Sequence, residues 1–343
     1  VGGTVTLNSA ATGEFTYVPP AGFKGVDSFT YVINDGESHT ATATAYIHLE
    51  GIVWFVHGAN TTAPFLGTQA DPFQFLPEAE TPSGSGDIIY VRFNGTSYDT
   101  GGANGFVMDP DQQLLGEGVA LILNGTTIIP AGGYPGFTNN DGTPGRGVTL
   151  ATTGIQTLRG MTIFNTGGAK IFGSPFGTLA TDSIDLFGSG QALHLVNGVL
   201  ASTFNNLTSG SSALSGITLQ QVSGTLTANA GTSINNPTTQ GILVDQSTAS
   251  VAFGNTSVTG TGTDRVSLQN NSAGIRTFGT LTTTGGTGVG FLHAVGGGTT
   301  TVRRAAWLDT LLSRFVTVST YAPLSLVLTE VRTSVVLVAP RSR

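Results

Sequence analysis

The chain has 343 residues, of which 50 are glycine, none is cysteine and only 10% are charged. Globular domains usually carry about 25% charged residues. The low charge and the 39% hydrophobic content therefore argue against a disordered chain and favour extensive β structure. The formal net charge of -7 offers no basic surface for nucleic acid, and the lack of cysteine excludes disulfides and thiolate metal sites. No apolar run reaches the roughly 18 residues of a transmembrane helix, so no membrane span is predicted.

Residues 1–49 alternate strand patterns with turn signals. The predicted strands cover residues 4–7, 14–18, 28–33 and 40–49, and the main breaks between them are Pro19-Pro20-Ala21-Gly22 and Asn34-Asp35-Gly36. This segment resembles bacterial Ig-like and cadherin-like tandem repeats through Gly3-Thr4-Val5-Thr6-Leu7, Gly13-Glu14-Phe15-Thr16-Tyr17, Gly22-Phe23-Lys24-Gly25-Val26-Asp27-Ser28-Phe29-Thr30-Tyr31 and Asp35-Gly36. The resemblance implies the second half of a β-sandwich module with an uncovered edge. It also implies further tandem modules in the same parent chain and a bacterial surface or extracellular location.

From Ile52 the pattern changes. The segments Trp54-Phe55-Val56, Gly67-Thr68 and Pro72-Phe73 resemble the opening strand and turn of pectate-lyase-like β-helices, and Gln113-Leu114-Leu115-Gly116-Glu117-Gly118 resembles an early rung of that family. The resemblance covers about residues 52–302 and implies an exported protein. It departs at Asn60-Thr61, where many relatives carry an aspartate. Long turns are predicted at residues 77–86, 97–105 and 132–147.

A short apolar strand recurs between residues 147 and 295. Its copies begin at Gly147, Ala169, Ala192, Gly216, Gly241, Arg265 and Gly290, so successive starts lie 22, 23, 24, 25, 24 and 25 residues apart. One such coil cannot bury its apolar face alone, so the coils must stack on one another. The sequence therefore predicts an all-β chain in which a right-handed parallel β-helix with rungs of 22 to 25 residues occupies residues 50–302, after a partial β-sandwich module at residues 1–49.

Four amide residues follow the starts of consecutive copies by five positions. They are Asn197, Gln221, Gln246 and Asn270. Amides stacked at strand spacing can hydrogen-bond along the pile. We expect a buried structural ladder here, and a polar row that meets a sugar chain is the alternative.

Polysaccharide lyases and glycosidases need clustered carboxylates with a base, or two suitably spaced carboxylates. The candidates are few, and no catalytic residue is assigned. Asp109 and Asp111 flank Pro110 and are a candidate pair for calcium, with a solvated turn as the alternative. Asp27 is a further calcium candidate at a module boundary, with the same alternative. The histidine spacings do not fit zinc, so calcium is the one cofactor considered.

The last segment, residues 303–343, contains no glycine and differs in character from the rest. The spacing Ala305-Leu308-Leu311-Leu312-Phe315 suits an amphipathic helix that caps the solenoid. The alternative is a disordered tail translated out of frame.

These features predict a non-enzymatic structural or adhesive segment of a large exported bacterial surface protein, in which a spacer module precedes a β-helical rod. The alternatives are a polysaccharide lyase or glycoside hydrolase of the pectate-lyase-like fold, and a carbohydrate-binding β-helix without turnover. The expected partners are polysaccharides, host or cell-surface ligands, and neighbouring modules of the parent chain. An enzyme should gather at least three of the acids in residues 52–146 and a base in one groove.

Overall fold

The structure is a computed structural model that describes residues 2–332, apart from 21–22, 38, 50, 140, 142, 261, 286–289, 297–298, 308–314, 319–324 and 329–330. The predicted fold class is confirmed. A parallel β-solenoid of about eight turns occupies residues 88–302, and antiparallel pairs precede it. In the described part of the chain, no helix has the length and apolar character to cross a membrane.

The N-terminal module consists of two antiparallel pairs. Strands β1 (Thr4–Ser9) and β2 (Glu14–Val18) form one pair, and β3 (Gly25–Asn34) and β4 (Thr40–Leu49) form the other. All four predicted strands are present, and the largest difference is that β3 begins three residues before the predicted start. Many apolar side chains of this module are exposed, from 36% for Val5 to 68% for Tyr46.

The remaining strands follow in chain order. They are β5 (Val53–Val56), β6 (Ile88–Val91), β7 (Ser97–Asp99), β8 (Phe106–Val107), β9 (Gln113–Gly116), β10 (Leu121–Leu123), β11 (Thr126–Ile129), β12 (Gly136–Asn139), β13 (Val148–Thr149), β14 (Ile155–Thr166), β15 (Ala169–Gly173), β16 (Thr178–Phe187), β17 (Gln191–Gly210) and β18 (Ile217–Asn235). The later strands are β19 (Ile242–Asp245), β20 (Ser250–Ala252), β21 (Thr256–Thr259), β22 (Val266–Asn271), β23 (Ile275–Thr284), β24 (Phe291–Gly296), β25 (Thr299–Trp307), β26 (Phe315–Val318), β27 (Ser325–Leu328) and β28 (Val331–Arg332).

Each solenoid turn has three strand faces, and each face is a parallel stack. Face 1 begins with β5, β6, β9 and β14 and continues upward through β16 to β18, β20, β23 and β25. Face 2 contains β7, β12, β21 and the later parts of the long strands. Face 3 contains β8, β13, β15, β19, β22, β24 and the first parts of β17 and β18. The repeat found in the sequence is face 3.

One copy of that repeat was misaligned by a residue. Val148 pairs with Ile171, and Ile171 pairs with Leu193, so the second copy begins at Lys170 and not at Ala169. The starts are then 23, 22, 24, 25, 24 and 25 residues apart. Most copies begin with glycine or alanine, so Ala169 resembles a copy start more closely than Lys170 does.

The core is a set of apolar columns that run along the solenoid. In one column on face 3, the aligned residues are fully buried, namely Ile171, Leu193, Ile217, Ile242 and Val266. Full burial of each such side chain stabilises the fold by about 1.5 to 3 kcal/mol. Rings also stack in the core, as Phe253 does on Phe278 at a centroid distance of 5.0 Å.

A short 3-10 helix, Leu76–Ala79, packs against the first strand β5. Leu76 and Ala79 are fully buried and join the same core cluster as Trp54 and Val56. The ring of Phe73 stacks on Trp54, with centroids 5.9 Å apart. This segment therefore covers apolar groups of the first strand that have no preceding rung to bury them.

Asp87 connects the N-terminal module to the solenoid. Its side chain is fully buried and lies 2.6 Å from the Nζ atom of Lys24 in the module. Its carboxylate also accepts hydrogen bonds from the backbone N–H groups of Ile52 and Gly84 and from the indole N–H of Trp54. A buried carboxylate is tolerated only when it is paired and hydrogen-bonded, and four donors satisfy that condition here.

An external hairpin interrupts the second turn. Strands β10 and β11 are joined by Asn124-Gly125, whose φ angles of 49° and 77° fit a type I′ turn. Leu121 and Ile129 pack over outward-facing side chains of face 1, where they form a second apolar cluster with Phe55, Tyr90 and Leu115. The Asn-Gly pair is the sequence signal for this hairpin, and the sequence analysis did not use it.

Two further expectations need correction. The long turns predicted at 97–105 and 132–147 contain strands β7 and β12, which are too short to give a clear alternating pattern. The predicted C-terminal helix is wrong at both ends, because Ala305 lies in β25 and Phe315 begins β26. Its middle, with Leu308, Leu311 and Leu312, lies outside the described residues. The domain boundaries at residues 49 and 302 and the origin of the tail stay predictions.

The register makes a stability prediction at Leu219, which is fully buried between Leu195 and Val244. We expect Leu219→Asp to lower the free energy of unfolding by about 3 to 5 kcal/mol, because it buries an unpaired charge. Thr225→Asp is the matched control, since Thr225 is exposed on face 1 of the same turn. Urea denaturation of both variants checks this, and equal stabilities would contradict the assigned register.

Candidate functional site

Asp27 is a buried structural carboxylate and not a solvated turn residue. It lies in β3, is 2% exposed and accepts hydrogen bonds from the hydroxyl of Tyr17 at 2.5 Å and from the backbone N–H of Ser28 at 2.8 Å. The Tyr17 hydrogen bond lowers the pKa of Asp27, and the same contact raises the pKa of Tyr17 to about 12. Because Tyr17 belongs to β2, this bond joins the two antiparallel pairs of the module.

Asp109 and Asp111 lie where β8 leads into β9. Asp111 adopts a left-handed conformation, and its carboxylate accepts the backbone N–H of Ile155 in the next turn at 2.8 Å. Glu80 lies near Asp109, and burial raises the pKa of Glu80, with a smaller contribution from the charge of Asp109. In the part of the chain that the structure describes, no three Asp, Glu or His side chains are arranged to hold a metal ion. A calcium site at Asp109 and Asp111 stays a prediction.

Other acids of the first turns have partners of their own. Asp71 accepts a hydrogen bond from Asn60, and Glu117 forms an ion pair with Arg92 at 2.9 Å. Asn60 also donates to the carbonyl oxygen of Pro72, so the position where the chain departs from the pectate-lyase-like pattern holds two loop segments together. Asp71 and Glu117 therefore each stabilise a separate local contact.

The four amide residues do occupy equivalent corners, between faces 3 and 1. However, all four are exposed, so the expectation of a buried row is wrong. Their shared property is the backbone: their φ angles lie between 50° and 56°, in the left-handed region. That conformation costs most residues roughly 1 to 2 kcal/mol, and asparagine is among the side chains that tolerate it best. The four residues are Asn197, Gln221, Gln246 and Asn270.

The amide side chains form one direct contact within the row. The Nε2 atom of Gln221 donates to Oε1 of Gln246 at 3.1 Å. Asn270 instead donates to Asp245 at 3.0 Å. Among the residues that the structure describes, none hydrogen-bonds the side chain of Asn197. A contribution of this row to ligand binding stays a prediction.

Asn197 borders a shallow groove of about 560 Å³. The groove is lined by residues from three successive corners, at 152–155, 175–178 and 197–199. The buried ring of Phe176 forms its floor and lies against Gly198, where a Cβ atom would approach the ring to 2.5 Å. The side chains that line the groove are uncharged, and they include exposed Ile155 and Val199.

On another side of the solenoid, four aromatic side chains come from four successive turns. We call Phe93, Tyr134, Phe164 and Phe187 the aromatic strip. Phe93, Tyr134 and Phe187 are 47%, 36% and 43% exposed, and Phe164 is half-buried. The strip is not visible in an alignment of the face 3 strands alone, because its residues lie on face 2 or in the loops before it. The usable signal was the 23-residue spacing of Phe164 and Phe187, which equals one rung.

Phe164 and Phe187 are partners on face 2. Their centroids are 4.7 Å apart and their planes differ by 4°. A parallel pair at that distance is offset, so each ring covers only part of the face of the other. In the next two turns, the positions that stack above Phe187 are occupied by Thr208 and then by Ser233.

Two glycines allow the other rings to lie close to the backbone. A Cβ atom at Gly136 would approach the ring of Phe164 to 2.7 Å, and one at Gly133 would approach Phe93 to 2.6 Å. The Phe93 and Phe164 rings therefore lie over the same short segment, from which Tyr134 also projects.

A polar column runs beside the stacked rings. Thr162, Asp185 and Asn206 pair in register, and each lies two residues before its neighbour in the column of Phe164, Phe187 and Thr208. Residues two apart on a strand share a face, so the two columns lie side by side. Asp185 accepts hydrogen bonds from the amides of Asn206 at 2.5 Å and Asn205 at 3.4 Å.

Lys170 is a buried cation at the start of a face 3 strand. Its side chain has no exposure, and Nζ donates to the carbonyl oxygens of Gly188, Ser189 and Gly190 at 3.2, 2.9 and 3.1 Å. Burial lowers the pKa of Lys170 to about 7. The three carbonyl groups explain why a lysine can occupy a position that is usually glycine or alanine in this repeat.

The comparisons with known proteins identify the N-terminal module alone. The family model described as a bacterial Ig domain matches residues 1–48. The chain has no match among curated proteins or among solved structures. Residues 1–48 are thus similar to bacterial Ig domains and are followed by a parallel β-solenoid.

The left-handed corner at Asn197 makes a prediction about side-chain preference. Asn197→Val should lower the free energy of unfolding by about 1 to 2 kcal/mol, because a β-branched residue is strained at a φ of 56°. Asn197→Gly should be close to neutral. Thr203→Val, at an ordinary strand position of the same turn, is the control. Thermal and urea unfolding check this, and a neutral Asn197→Val would show that the corner does not select its residue.

Lys170 makes stability depend on pH. Because its pKa falls from an unfolded value near 10.5 to about 7, the unfolded chain binds more protons between these values. The free energy of unfolding should therefore rise with pH from about 7 to 10.5. Lys170→Met lacks the titrating amine. The difference in the free energy of unfolding between wild type and variant therefore reports Lys170 without the contribution of the tyrosines. Parallel stability curves for the two proteins over that window would contradict the prediction.

Proposed function

We propose that this chain is a non-enzymatic structural and adhesive segment of an exported bacterial surface protein. In this proposal the Ig-like module is a spacer and the β-solenoid is a rod that presents a binding surface. Bacterial Ig domains often occur in surface or extracellular proteins, which supports the location.

The observation that carries the proposal is the direct passage from a bacterial Ig domain into a long regular solenoid. The module ends at β4, and β5 of the solenoid begins at Val53. The ion pair between Lys24, which is one third exposed, and the buried Asp87 connects the two parts. Stacked repeats give an extended body that grows by one strand spacing, about 4.8 Å, per turn, which suits a rod that displays surface at a distance.

The lyase or glycosidase alternative has less support. Glu117, Asp71 and Asp111 have different partners at different corners, whereas such an enzyme needs its carboxylates around one substrate. The pectate-lyase-like relationship stays a prediction.

The location is tested with antibodies against the purified chain, applied to intact cells of the organism that produces it. We expect labelling of intact cells and loss of the label after brief external protease treatment. Labelling that requires permeabilised cells would contradict the proposed location.

The non-enzymatic part is tested by incubating the chain with uronate and neutral polysaccharides, with and without calcium. Mass spectrometry should show no shortening of any polysaccharide. Shortening that a folded Asp109→Ala or Asp111→Ala variant loses would replace the proposal with a depolymerase.

A further inference from the structure

We propose that face 2 of the solenoid binds a neutral glycan chain, with sugar rings against the aromatic strip and sugar hydroxyl groups on the adjacent polar column. The inference rests on the proposed function in one respect, since it names the chemical class of the adhesive ligand. The binding itself is a property of the purified chain.

The rings of the aromatic strip are exposed. Phe187 is 43% exposed although its stacking partner Phe164 covers one of its faces, and Phe93 is 47% exposed. Large apolar groups gathered on one surface of a soluble protein commonly mark a binding site. Further along the same column the outward residues become Thr208, Ser233 and Ser257, so the aromatic character is confined to the first four turns.

The groups next to the rings also suit a sugar. A pyranose ring has an apolar face of C–H groups and a rim of hydroxyl groups. The strip offers flat apolar rings, and the column two residues away offers hydroxyl, carboxylate and amide groups at Thr162, Asp185 and Asn206. The Asp185 carboxylate accepts two amide hydrogen bonds and has lone pairs left for sugar hydroxyl groups.

The spacing and direction of the rings also suit a glycan chain. The ring centroids of Phe164 and Phe187 are 4.7 Å apart, which is close to the length of one sugar unit in an extended glycan. The four rings of the strip come from four successive turns, so they follow one another along the solenoid axis. A chain lying parallel to that axis therefore meets one ring per turn over those four turns.

Charge determines which glycans fit. Asp185 places a negative charge in the polar column, and the cation at the other end of the strip, Arg92, is paired with Glu117 at 2.9 Å. A uronate chain would bring its carboxylates near the negative charges of Asp185 and Glu117, and the nearby Arg92 is already paired with Glu117. The surface should therefore prefer neutral sugars to uronates.

The test is isothermal titration calorimetry of the full chain with linear hexasaccharides of glucose, mannose, galactose and N-acetylglucosamine, and with hexagalacturonate. We expect at least one neutral hexasaccharide to bind more tightly than hexagalacturonate. Phe187→Ala should weaken that binding at least tenfold, and Phe187→Trp should retain it because the flat ring is kept.

Two matched controls locate the site. Phe75→Ala removes a phenylalanine outside the strip that is more exposed than Phe187 (57% against 43%) and should leave binding unchanged. Asn197→Gly removes the free amide beside the groove and should also leave binding unchanged. Circular dichroism and melting temperature confirm that each variant is folded before its affinity is compared.

Three results would overturn the inference. They are no binding of any neutral hexasaccharide, tighter binding of hexagalacturonate, and a loss of binding in Asn197→Gly while Phe187→Ala binds normally. None of these results bears on whether antibodies reach the protein on intact cells, so failure of the glycan inference and failure of the proposed surface location are distinguishable.

Discussion

The structure depends on the parallel hydrogen bonds between successive turns. A turn has no closed core of its own, so every inward side chain must sit above its equivalent in the turn below. A one-residue slip would move an entire strand's apolar set to solvent. The single left-handed residue at corners such as Asn197 and Gln246 helps to keep this alignment, because it changes the chain direction without adding length. The regular rungs, the apolar columns and the outer columns of like residues all follow from that constraint.

The rare charges inside this structure are handled locally. Asp27 and Asp87 each collect several donors, and Lys170 collects three carbonyl acceptors. Because only 10% of the residues are charged, the outer surface is defined mainly by hydroxyl, amide and aromatic groups. The aromatic strip is therefore distinct from the serine and threonine surface that continues its column.

The repeat period was sufficient to predict the fold, because stacked turns repeat their inward residues at a nearly constant interval. The details that failed depended on contacts between distant residues. The strand start at Lys170 was missed because the sequence does not show the three carbonyl groups that accept hydrogen bonds from its side chain. Asp27 looked like a turn residue because its partner Tyr17 lies in another strand. The aromatic strip crosses turns whose sequence separation varies with the loops and the β10–β11 hairpin, so it was not visible from one aligned strand.

The ion pair between Lys24 and the buried Asp87 has a mechanical consequence. Asp87 also holds Ile52, Trp54 and Gly84, so the contact with the module is made at a residue that is itself fixed in the first turn. A pull on the module is then transmitted partly to the base of the solenoid through this carboxylate, in addition to the covalent chain. The junction would resist bending until the ion pair breaks and would act as a hinge afterwards.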